Sequence, residues 1–506
     1  MGEVLIGIDI GTSACKTAAF SKDGSVLSQV SKDYSVYYPH PGWAEQDPND
    51  WWRAVCAAVR DLLEKGGIKA EDICGIGVDG QSWSAIPVDK NGTVLCNTPI
   101  WMDTRAQQIC ERMKAQFGEH RLFATNGNPV QPMYTMPKVL WYREQQPEMY
   151  KDTYKILQSN SFIVYRLTGV MTQEPSQGYG WNCYDMARGT WNIDLCREMG
   201  VNPELLPQIV SSHAVVGGVT KSAAAQTGLW EGTPVVAGGL DAACGTLGVG
   251  VIHPGETQEQ GGQAGGMSIC MDTCRMEPRL ILGAHVVPGR WLLQGGTVGG
   301  GGAVNWFEKE FCAAERMAAK EKGTNSFVEM DAAAAQVPPG SEGLLFLPYL
   351  AGERSPIWDA DAKGVFYGID FSKTRGHFAR AVMEGVAYSL RHNLEVAEQA
   401  GVHAKILRSM GGAANSRLWM QIKADITGKK IVVPAADTAT ALGAAILAGV
   451  GTGLYQDFED AVTQTVTIRR EFTPNPENTA VYDQGYTVYR GLYESLKNIM
   501  HGVKHS

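Results

Sequence analysis

The first strand of this chain carries a carboxylate where a strand core would normally exclude one. Residues 4–10, VLIGIDI, form an apolar run that predicts a β-strand, and Asp9 lies inside it. A buried carboxylate is costly unless a partner compensates its charge. A Gly-Thr-Ser turn and then Lys16 follow at once, and they offer backbone N–H groups and a cation. The strand, the turn and the carboxylate therefore have to be explained together.

Two interpretations of Asp9 are open at this point. In one, Asp9 ends its strand and caps its own turn, as Asp residues often do. In the other, it holds Mg²⁺ through water, while Gly11, Thr12, Ser13 and Lys16 contact phosphate oxygens. Mg²⁺ is commonly bound by one or two carboxylates together with the phosphates of a substrate.

Composition excludes several classes of protein. The chain has 506 residues, of which 44% are hydrophobic and 19% are charged, as in an ordinary globular protein. Its net charge of -9 gives no basic field for nucleic acid or an anionic membrane, so we expect neither partner. No stretch approaches the roughly 20 apolar residues of a membrane span. The 11 cysteines lack zinc-ligand spacing, and we expect reduced thiols and a cytoplasmic protein.

Strands and helices alternate along the chain, which predicts an α/β fold. Residues 21–24, SKDG, supply a turn between two strand-like runs. Residues 47–67 have helical spacing, with Asn49 or Asp50 as the expected cap and Gly66-Gly67 as the stop. Near residue 250 the chain becomes Gly-rich, and the same order of elements then begins again. We therefore predict two α/β domains, residues 1–252 and 253–506.

Glycine clusters recur in both predicted domains, at residues 7–11, 261–266, 295–302 and 411–412. Glycine lets backbone N–H groups approach an anion closely, so clusters in both halves suggest a phosphate-rich ligand between them. None of the clusters fits the P-loop pattern or a dinucleotide fingerprint after a strand. A Rossmann oxidoreductase is therefore disfavoured.

A second carboxylate repeats the arrangement of the first. In TPVVAGGLDAACGTLGVGV an apolar strand leads into Gly238-Gly239, then Asp241, then a helix of small residues. Ligands of open α/β sheets bind at such strand ends. Asp241 is either an ordinary helix N-cap or a general base that takes a proton from an attacking hydroxyl. Sequence spacing alone does not decide between the two.

A series of motifs runs from residue 4 to about residue 450: GIDIGTSACK, EQDPNDWW, PIWMDTRA, MPKVLW, YRLTG, VVAGGLDAACG, FLPYLAGERSP, GVFYGID, AVMEGVAYSLR, GGAANSRLWMQIKADITGKKI and ALGAAILAG. In wording and order they resemble the FGGY carbohydrate kinases, with xylulokinases nearest. The resemblance implies two actin-like (ribonuclease H-like) α/β domains flanking a deep catalytic cleft. The sugar then lies mainly on the first domain and ATP mainly on the second.

The resemblance implies a reaction as well as a fold. The γ-phosphoryl group of MgATP would pass to a ketose hydroxyl, D-xylulose giving D-xylulose 5-phosphate, with Asp241 as catalytic base and Asp9 holding Mg²⁺. The residues expected at the nucleotide are Gly11, Thr12, Ser13, Lys16, Gly262, Gln263, Gly296, Gly300, Gly411, Gly412, Ala413 and Asn415. Those expected at the sugar are Gln81, Ser82, Trp83, Trp101, Asp103, Arg105, Gln177 and Asp241.

The chain departs from the xylulokinase pattern in three places. Residues 81–84 are Gln-Ser-Trp-Ser where xylulokinases typically have Gln-Met-His-Gly, and Ser176-Gln177 aligns with a Ser-Asp pair. In the turn at 261–266 the usual hydroxyl is absent, so backbone N–H groups or Gln263 must substitute for it. The first two departures put the identity of the sugar in question, and the third puts the rate in question.

Several alternatives are kept beside the xylulokinase hypothesis. In one alternative the sugar is another ketose, a sugar acid or a polyol, such as ribulose, fuculose, gluconate, erythritol or glycerol. In another the protein is a catalytically weak sugar sensor. An actin-like chaperone is disfavoured because the tail after residue 450 is too short for a peptide-binding domain. A DNA-binding regulator is disfavoured because no helix-turn-helix with a basic face precedes the first strand. A homodimer is an open expectation, since relatives commonly dimerise.

Overall fold

The computed structural model describes residues 3–435 and 438–502, and within them the chain forms 24 strands. The strands are β1 (Val4–Ile10), β2 (Ala14–Phe20), β3 (Val26–Asp33), β4 (Glu45–Gln46), β5 (Ile73–Gly80), β6 (Ile86–Val88), β7 (Thr98–Pro99), β8 (Lys155–Leu157), β9 (Thr172–Gln173), β10 (Tyr184–Asp185), β11 (Thr190–Trp191), β12 (Gln208–Ile209), β13 (Val215–Gly218), β14 (Pro234–Val236), β15 (Gly239–Leu240), β16 (Glu256–Gly261), β17 (Gly265–Met271), β18 (Ile281–Ala284), β19 (Trp291–Gly295), β20 (Leu345–Leu347), β21 (Val365–Tyr367), β22 (Ile406–Met410), β23 (Lys430–Pro434) and β24 (Ile468–Phe472).

The same residues form 17 α-helices. The helices are α1 (Pro48–Gly66), α2 (Gln107–Phe117), α3 (Glu119–Asn126), α4 (Thr135–Gln145), α5 (Pro147–Asp152), α6 (Ser159–Thr168), α7 (Ile193–Glu198), α8 (Lys221–Thr227), α9 (Asp241–Gly248), α10 (Gly300–Phe311), α11 (Ala313–Lys322), α12 (Ser326–Ala335), α13 (Arg375–Gln399), α14 (Arg417–Thr427), α15 (Ala439–Gly451), α16 (Phe458–Thr465) and α17 (Thr479–Gly502). Short 3₁₀ segments include Pro175–Gly180 and Gly412–Asn415. None of the helices in the described ranges is long and apolar enough to cross a membrane.

Two seven-stranded mixed sheets organise the chain. The first sheet has the order β13-β14-β5-β1-β2-β3, with β15 pairing with the end of β5. The second has the order β18-β19-β17-β16-β22-β23-β24. Each sheet has an antiparallel hairpin beside parallel strands that follow connections containing helices. The predicted α/β class is confirmed, while the boundary between residues 252 and 253 stays a prediction.

The local predictions near the start hold except for one helix cap. The turn at residues 21–24 forms as expected, with the Gly24 N–H donating to the Ser21 carbonyl oxygen at 2.9 Å. The predicted cap of α1, Asn49 or Asp50, is wrong: Asp47 caps the helix by accepting a hydrogen bond from the Asn49 N–H at 2.9 Å. Pro48 occupies the first helical turn, where its missing N–H leaves no hydrogen bond unmade, and Asp47 directly before it takes the cap position.

One helix ties the two halves of the chain together. Helix α15 belongs to the second half, yet it packs against α9 and against β1 and β5 of the first sheet. Small residues allow this approach: a Cβ on Gly443 would lie 1.8 Å from the Cys244 carbonyl oxygen, and one on Gly7 would lie 1.9 Å from that of Ala441. The contact holds the glycine turns of the two sheets on either side of a common centre.

Candidate active site

Asp9 and Asp79 lie side by side on neighbouring strands. Strands β1 and β5 pair in parallel, and their register places Asp9 opposite Asp79. On the other side of β1, the hairpin with β2 brings Lys16 opposite Asp9. Asp79 is fully buried, and neither of its carboxyl oxygens accepts a hydrogen bond from the described residues. Strands β1 and β5 therefore bring two carboxyl groups to one point at the end of the sheet.

Asp241 brings a third carboxyl group to the same edge. Strand β15 pairs with the end of β5, so that Gly239 lies opposite Asp79, and Asp241 follows as the first residue of α9. Gly238 permits this course because its φ is 78° and a Cβ there would lie 1.8 Å from the Val78 carbonyl oxygen. The Asp241 Oδ1 atom accepts a hydrogen bond from the Ala242 N–H at 2.6 Å.

The charges of the three carboxyl groups shift one another's pKa values. Burial, and then the charge of Asp9, raises the pKa of Asp241 to about 7. Burial, and then the charges of Asp9 and Asp241, raises the pKa of Asp79 well above its usual range. Like charges in a poorly solvated site disfavour full ionisation. A cluster of oxygen ligands with excess negative charge fits a hard divalent cation, as the carboxylate sites of Mg²⁺ do.

The first glycine turn is anchored by its carbonyl groups. The Tyr34 hydroxyl donates to the Gly11 carbonyl oxygen at 2.6 Å, and the Gln46 amide donates to that of Thr12 at 2.8 Å. The Trp101 Nε1–H donates to the Thr12 Oγ1 atom at 2.9 Å. Ser13 and Lys16 are exposed. The Gly11 N–H is itself used, donating to the Ala14 carbonyl oxygen at 3.1 Å, so Thr12 and Ser13 carry the N–H groups that this turn could offer to an anion.

The second glycine turn separates two cavities. Gly261, Gly262 and Gln263 line a cavity of about 500 Å³. Gly265 and Gly266, on the far side of the same turn, line a cavity of about 140 Å³. A group bound at the backbone of this turn would therefore face both cavities at once.

The smaller cavity lies between the two halves of the chain. Ala242, next to Asp241, and Tyr179 line it from the first half. Gln258, Gln294 and Arg354 are among the residues that line it from the second half. Its lining is rich in amides and hydroxyls, the groups that hydrogen-bond to a small polar molecule.

The larger cavity is lined by the second half alone. The segment Gly412–Asn415 forms one of its walls, with Trp419 behind it. Gly300 is not in its lining and instead packs under the turn, where a Cβ would lie 2.0 Å from the Gly265 backbone nitrogen. Gly411 turns the chain into the wall with a φ of 84°, and Gly296 lines the smaller cavity.

Comparison with known families agrees with this arrangement. The N-terminal domain of the FGGY family of carbohydrate kinases matches residues 4–248, and its C-terminal domain matches residues 276–452. The chain belongs to the FGGY family of carbohydrate kinases. It is a sugar kinase, and membership in this family implies ATP and a sugar as its substrates.

Relatives of the kinase differ in the sugar that their names give. A xylulose kinase of Bacillus subtilis is 33% identical over 99% of this chain and 98% of its own length. A gluconokinase of Bacillus licheniformis is 28% identical over 98% of this chain and 97% of its own length. A solved xylulose kinase from Rhodospirillum rubrum has a TM-score of 0.90 at 32% identity, covering 98% of this chain and all of its own, 100%. The predicted actin-like fold of this family is thereby confirmed.

The loop after β5 forms a strained aromatic corner of the kinase. Trp83 has a backbone φ of 59°, a value that residues other than glycine rarely adopt. Its ring lies 4.8 Å from that of Tyr134 and 5.4 Å from that of Tyr179. Gln177 holds the loop, accepting from the Trp83 N–H at 3.3 Å and donating to the Gln81 carbonyl oxygen at 3.1 Å.

Unpaired polar atoms mark this corner as a place for a polar ligand. The Trp83 Nε1 and Gln81 Oε1 atoms are buried and form no hydrogen bond with the described part of the chain. Gln81 uses its other amide atom to donate to Gln46 at 2.7 Å. Ser82, between them, is partly exposed. Buried polar groups are nearly always paired, so these two atoms are candidates for a hydrogen bond with a polar ligand.

Asp103 and Arg105 bind each other rather than facing a cavity. Asp103 is fully buried and accepts two side-chain hydrogen bonds from Arg105, at 2.9 and 2.8 Å. Arg105 also pairs with Glu45 at 2.7 Å and stacks 3.7 Å above the Trp43 ring. These contacts favour a supporting role, and contact of either residue with the sugar stays a prediction.

Two residues near the site, Tyr179 and Lys138, escaped the sequence analysis, and a third, Arg354, was not assigned to the sugar or the nucleotide. Tyr179 lines the smaller cavity, and Lys138 donates from within the core to the Trp83 and Ile100 carbonyl oxygens, both at 2.9 Å. Arg354 lines the same cavity from the second half. The motifs MPKVLW and GERSP contain two of them, but nothing in a motif says which side chain faces inward.

Proposed function

We propose that this kinase transfers the γ-phosphoryl group of MgATP to a hydroxyl of a ketose, with D-xylulose giving D-xylulose 5-phosphate. Asp241 acts as the general base and Asp9 holds Mg²⁺. The observation that carries the proposal is the glycine turn at residues 261–266, which stands between a cavity of about 500 Å³ and one of about 140 Å³. A phosphate chain on that turn has room for a nucleoside on one side and a small acceptor on the other.

The sizes of the cavities agree with this assignment. A volume of about 500 Å³ falls within the usual range of about 300 to 1,000 Å³ for small-molecule sites. The smaller cavity has room for about four or five water molecules, which is the scale of a single small sugar. Ala242 lines the smaller cavity, so its neighbour Asp241 lies at the acceptor end.

Phosphoryl transfer requires positioning, charge neutralisation and a group that accepts the acceptor's proton. Asp241 is suited to accept a proton at its carboxylate because its pKa is raised to about 7, close to neutral pH. The backbone of residues 261–266 and 11–13 would hold phosphate oxygens, and Lys16 would add positive charge. Mg²⁺, when bound at Asp9, would supply further neutralisation of phosphate charge.

The test is release of ADP with a panel of acceptors. D-Xylulose, ribulose, fuculose, gluconate, erythritol and glycerol would each be offered with MgATP to the wild-type protein and to D241N. We expect D-xylulose to give the highest kcat/KM and D241N to abolish turnover while sugar binding by calorimetry persists. Stimulation by another sugar would correct the substrate. Sugar binding without any turnover would replace the kinase proposal with a sensor.

One observation favours a sugar acid as second candidate. Arg354 lines the smaller cavity, its guanidinium forms no salt bridge with the described residues, and a gluconokinase is among the relatives. A carboxylate of the acceptor would pair well with a guanidinium. R354M would then lower kcat/KM for gluconate far more than for D-xylulose. Equal losses for both sugars, with a raised KM for ATP, would assign Arg354 to phosphate instead.

We also propose that the kinase works in the cytoplasm as a homodimer. All 11 cysteines are described, and each is a free thiol, as in a reducing compartment. The homodimer is proposed because relatives in this family commonly dimerise. Sedimentation of the purified protein would decide it.

A further inference from the structure

Glu174 is a buried carboxylate at the start of the segment that forms part of the sugar pocket. It is 1% exposed and caps the 3₁₀ segment Pro175–Gly180. Its Oε2 atom accepts from the Ser176 N–H at 2.7 Å and from the Ser176 hydroxyl at 2.6 Å. Its Oε1 atom accepts from the Gln177 N–H at 3.1 Å. The carboxylate thus fixes the first turn of the segment.

The network continues from this segment to the catalytic strand end. The Leu240 N–H donates to the Ser176 Oγ atom at 2.8 Å, and Leu240 immediately precedes Asp241. Ser176 therefore bridges Glu174 on one side and the backbone beside Asp241 on the other. The fit is close, since a Cβ on Gly239 would lie 3.3 Å from the Ser176 Oγ atom.

The same segment carries two further groups of the pocket. Gln177 holds the Trp83 N–H and the Gln81 carbonyl oxygen, and Tyr179 lines the smaller cavity. A Cβ on Gly180 would lie 2.5 Å from the Trp83 Cδ1 atom, so the segment and the aromatic corner are packed against each other. A small shift of Glu174 would therefore be felt at both the sugar pocket and Asp241.

No cation among the described residues forms a salt bridge with Glu174. Ser212 completes its partners, donating from its hydroxyl at 3.2 Å. Burial raises the pKa of Glu174 to about 7, and the hydrogen bonds from Ser176, Gln177 and Ser212 oppose that rise. Burying a carboxylate without a cation lowers the free energy of unfolding, and a neutral side chain could cap so short a turn without that loss. Glu174 is therefore better explained by a role in the site than by a role in stability.

We propose that Glu174 is a positioning residue that sets the sugar-binding segment 174–180 in register with Asp241 through the Ser176 bridge. The inference rests on the proposed function, because it takes Asp241 as the base. Glu174 itself touches neither the acceptor nor the phosphate. It acts by keeping the acceptor hydroxyl and the Asp241 carboxylate at a reacting distance, and errors of about 1 Å in such a distance lower rates by roughly 100-fold.

The test compares E174Q with S176A, S212A and a matched control. In the wild type both carboxylate oxygens of Glu174 accept hydrogen bonds. The amide of E174Q keeps one acceptor oxygen, and its NH₂ group faces a donor that the other oxygen binds in the wild type. S176A removes the bridge to Leu240, whereas S212A removes one peripheral bond only. Glu384 is a control for the loss of a buried carboxylate away from the site: it is 1% exposed and also accepts from a backbone N–H and a serine hydroxyl, at 3.0 and 2.9 Å. Unlike Glu174 it is also paired with a cation, Arg380, at 2.8 Å, so E384Q should cost at least as much stability, but its partners line neither cavity.

We expect E174Q and S176A to lower kcat and the kcat/KM for the sugar roughly 10- to 100-fold, with the KM for ATP unchanged. S212A and E384Q should keep kcat near the wild-type value, even where E384Q lowers the melting temperature. If E174Q fails to fold, S176A alone carries the test. Wild-type kcat in S176A, or equal losses of kcat in E384Q, would overturn the proposal. Turnover in D241N would instead overturn the base assignment, so the two failures can be told apart.

Discussion

The two ends of the cleft are built from different chemical groups. At the proposed sugar end, side chains supply the polar groups: the buried carboxyls of Asp79 and Asp241 and the amides of Gln81 and Gln177 lie close together beside the smaller cavity. At the nucleotide end, glycine backbone forms the wall nearest the turn, and the side chain of Gln263 is exposed. Side chains change with every substitution, whereas backbone N–H groups do not. We therefore expect substitutions in the side chains of the sugar end to change binding more than substitutions in the glycine turn that leave its backbone in place.

The contrast also separates what recognises the sugar from what holds the phosphate. A pocket of side chains can discriminate between acceptors, because a misplaced hydroxyl leaves a buried group unpaired. A backbone turn serves any nucleotide phosphate and depends only on the course of the chain. We therefore expect the departures at residues 82–83 to affect specificity, and the departure at Gln263 to affect the rate only if the backbone of the turn moves.

The largest expected effect comes from disturbing the close contact between Gly300 and the turn at residues 261–266, at the nucleotide end. G300A places a Cβ 2.0 Å from the Gly265 nitrogen, so the turn at 261–266 must move. We expect kcat/KM for ATP to fall about 100- to 1,000-fold, as when a donor to a reacting phosphate or oxyanion is lost. Steady-state kinetics would measure this. G491A is the control, since its Cβ meets nothing within 4 Å, and it should leave activity unchanged.

A stability effect of the next size is expected at the sugar end. The pKa of Asp241 is about 7 in the folded protein, against about 3.9 in an unfolded chain. Between these values the folded state keeps a proton that the unfolded state has lost, so stability falls as pH rises from about 4 to 7. D241N never ionises and should be more stable than wild type above pH 7, by about 2 to 4 kcal/mol.

Thermal melting of both proteins at several pH values would check the sign. The gain of D241N should shrink as the pH is lowered and vanish near pH 4. A gain that is the same at every pH would mean that packing, rather than the charge of Asp241, is responsible.

A smaller effect is expected from crowding the aromatic corner. G180A places a Cβ 2.5 Å from the Trp83 Cδ1 atom and 3.0 Å from the Thr135 Oγ1 atom. The Trp83 ring must shift, and kcat/KM for the sugar should fall roughly 10- to 100-fold while the KM for ATP stays constant. Kinetics with each substrate varied in turn would separate the two. A raised KM for ATP would show that the two ends are not independent.

The sequence predicted the parts of the site that follow from a single stretch of chain. Asp9 lies near the end of an apolar strand that a Gly turn follows, and Asp241 follows an apolar strand and begins a helix, so both patterns are visible in the sequence alone. The α/β class and the FGGY family were predicted and are confirmed. The roles of the individual residues, including Asp241 as base and Asp9 as Mg²⁺ ligand, stay predictions.

What the sequence did not predict depends on register between distant strands. The pairing of Asp9 with Asp79 needs the alignment of β1 on β5, and no motif joins the two residues. The buried ion pairs of Arg105 with Glu45 and Asp103 form because β4 pairs with β7, which brings Glu45 beside the loop that carries Asp103 and Arg105, and no motif joins these residues. Local pattern identifies carboxylates at strand ends, but only tertiary packing decides which side chains are already committed.

The smallest effect, and the sharpest comparison, comes from two glutamines at opposite ends of the cleft. Gln263 is exposed, and it is its carbonyl oxygen that accepts the Gly302 N–H, at 2.9 Å. Q263A keeps that bond and should change kcat/KM by less than about threefold, as surface substitutions usually do. Gln177 is fully buried and works through its side-chain amide, so Q177A should lower kcat/KM for the sugar roughly 10- to 100-fold. A large loss in Q263A would mean that this side chain replaces the missing hydroxyl of the turn, and the nucleotide end would then depend on side chains as the sugar end does.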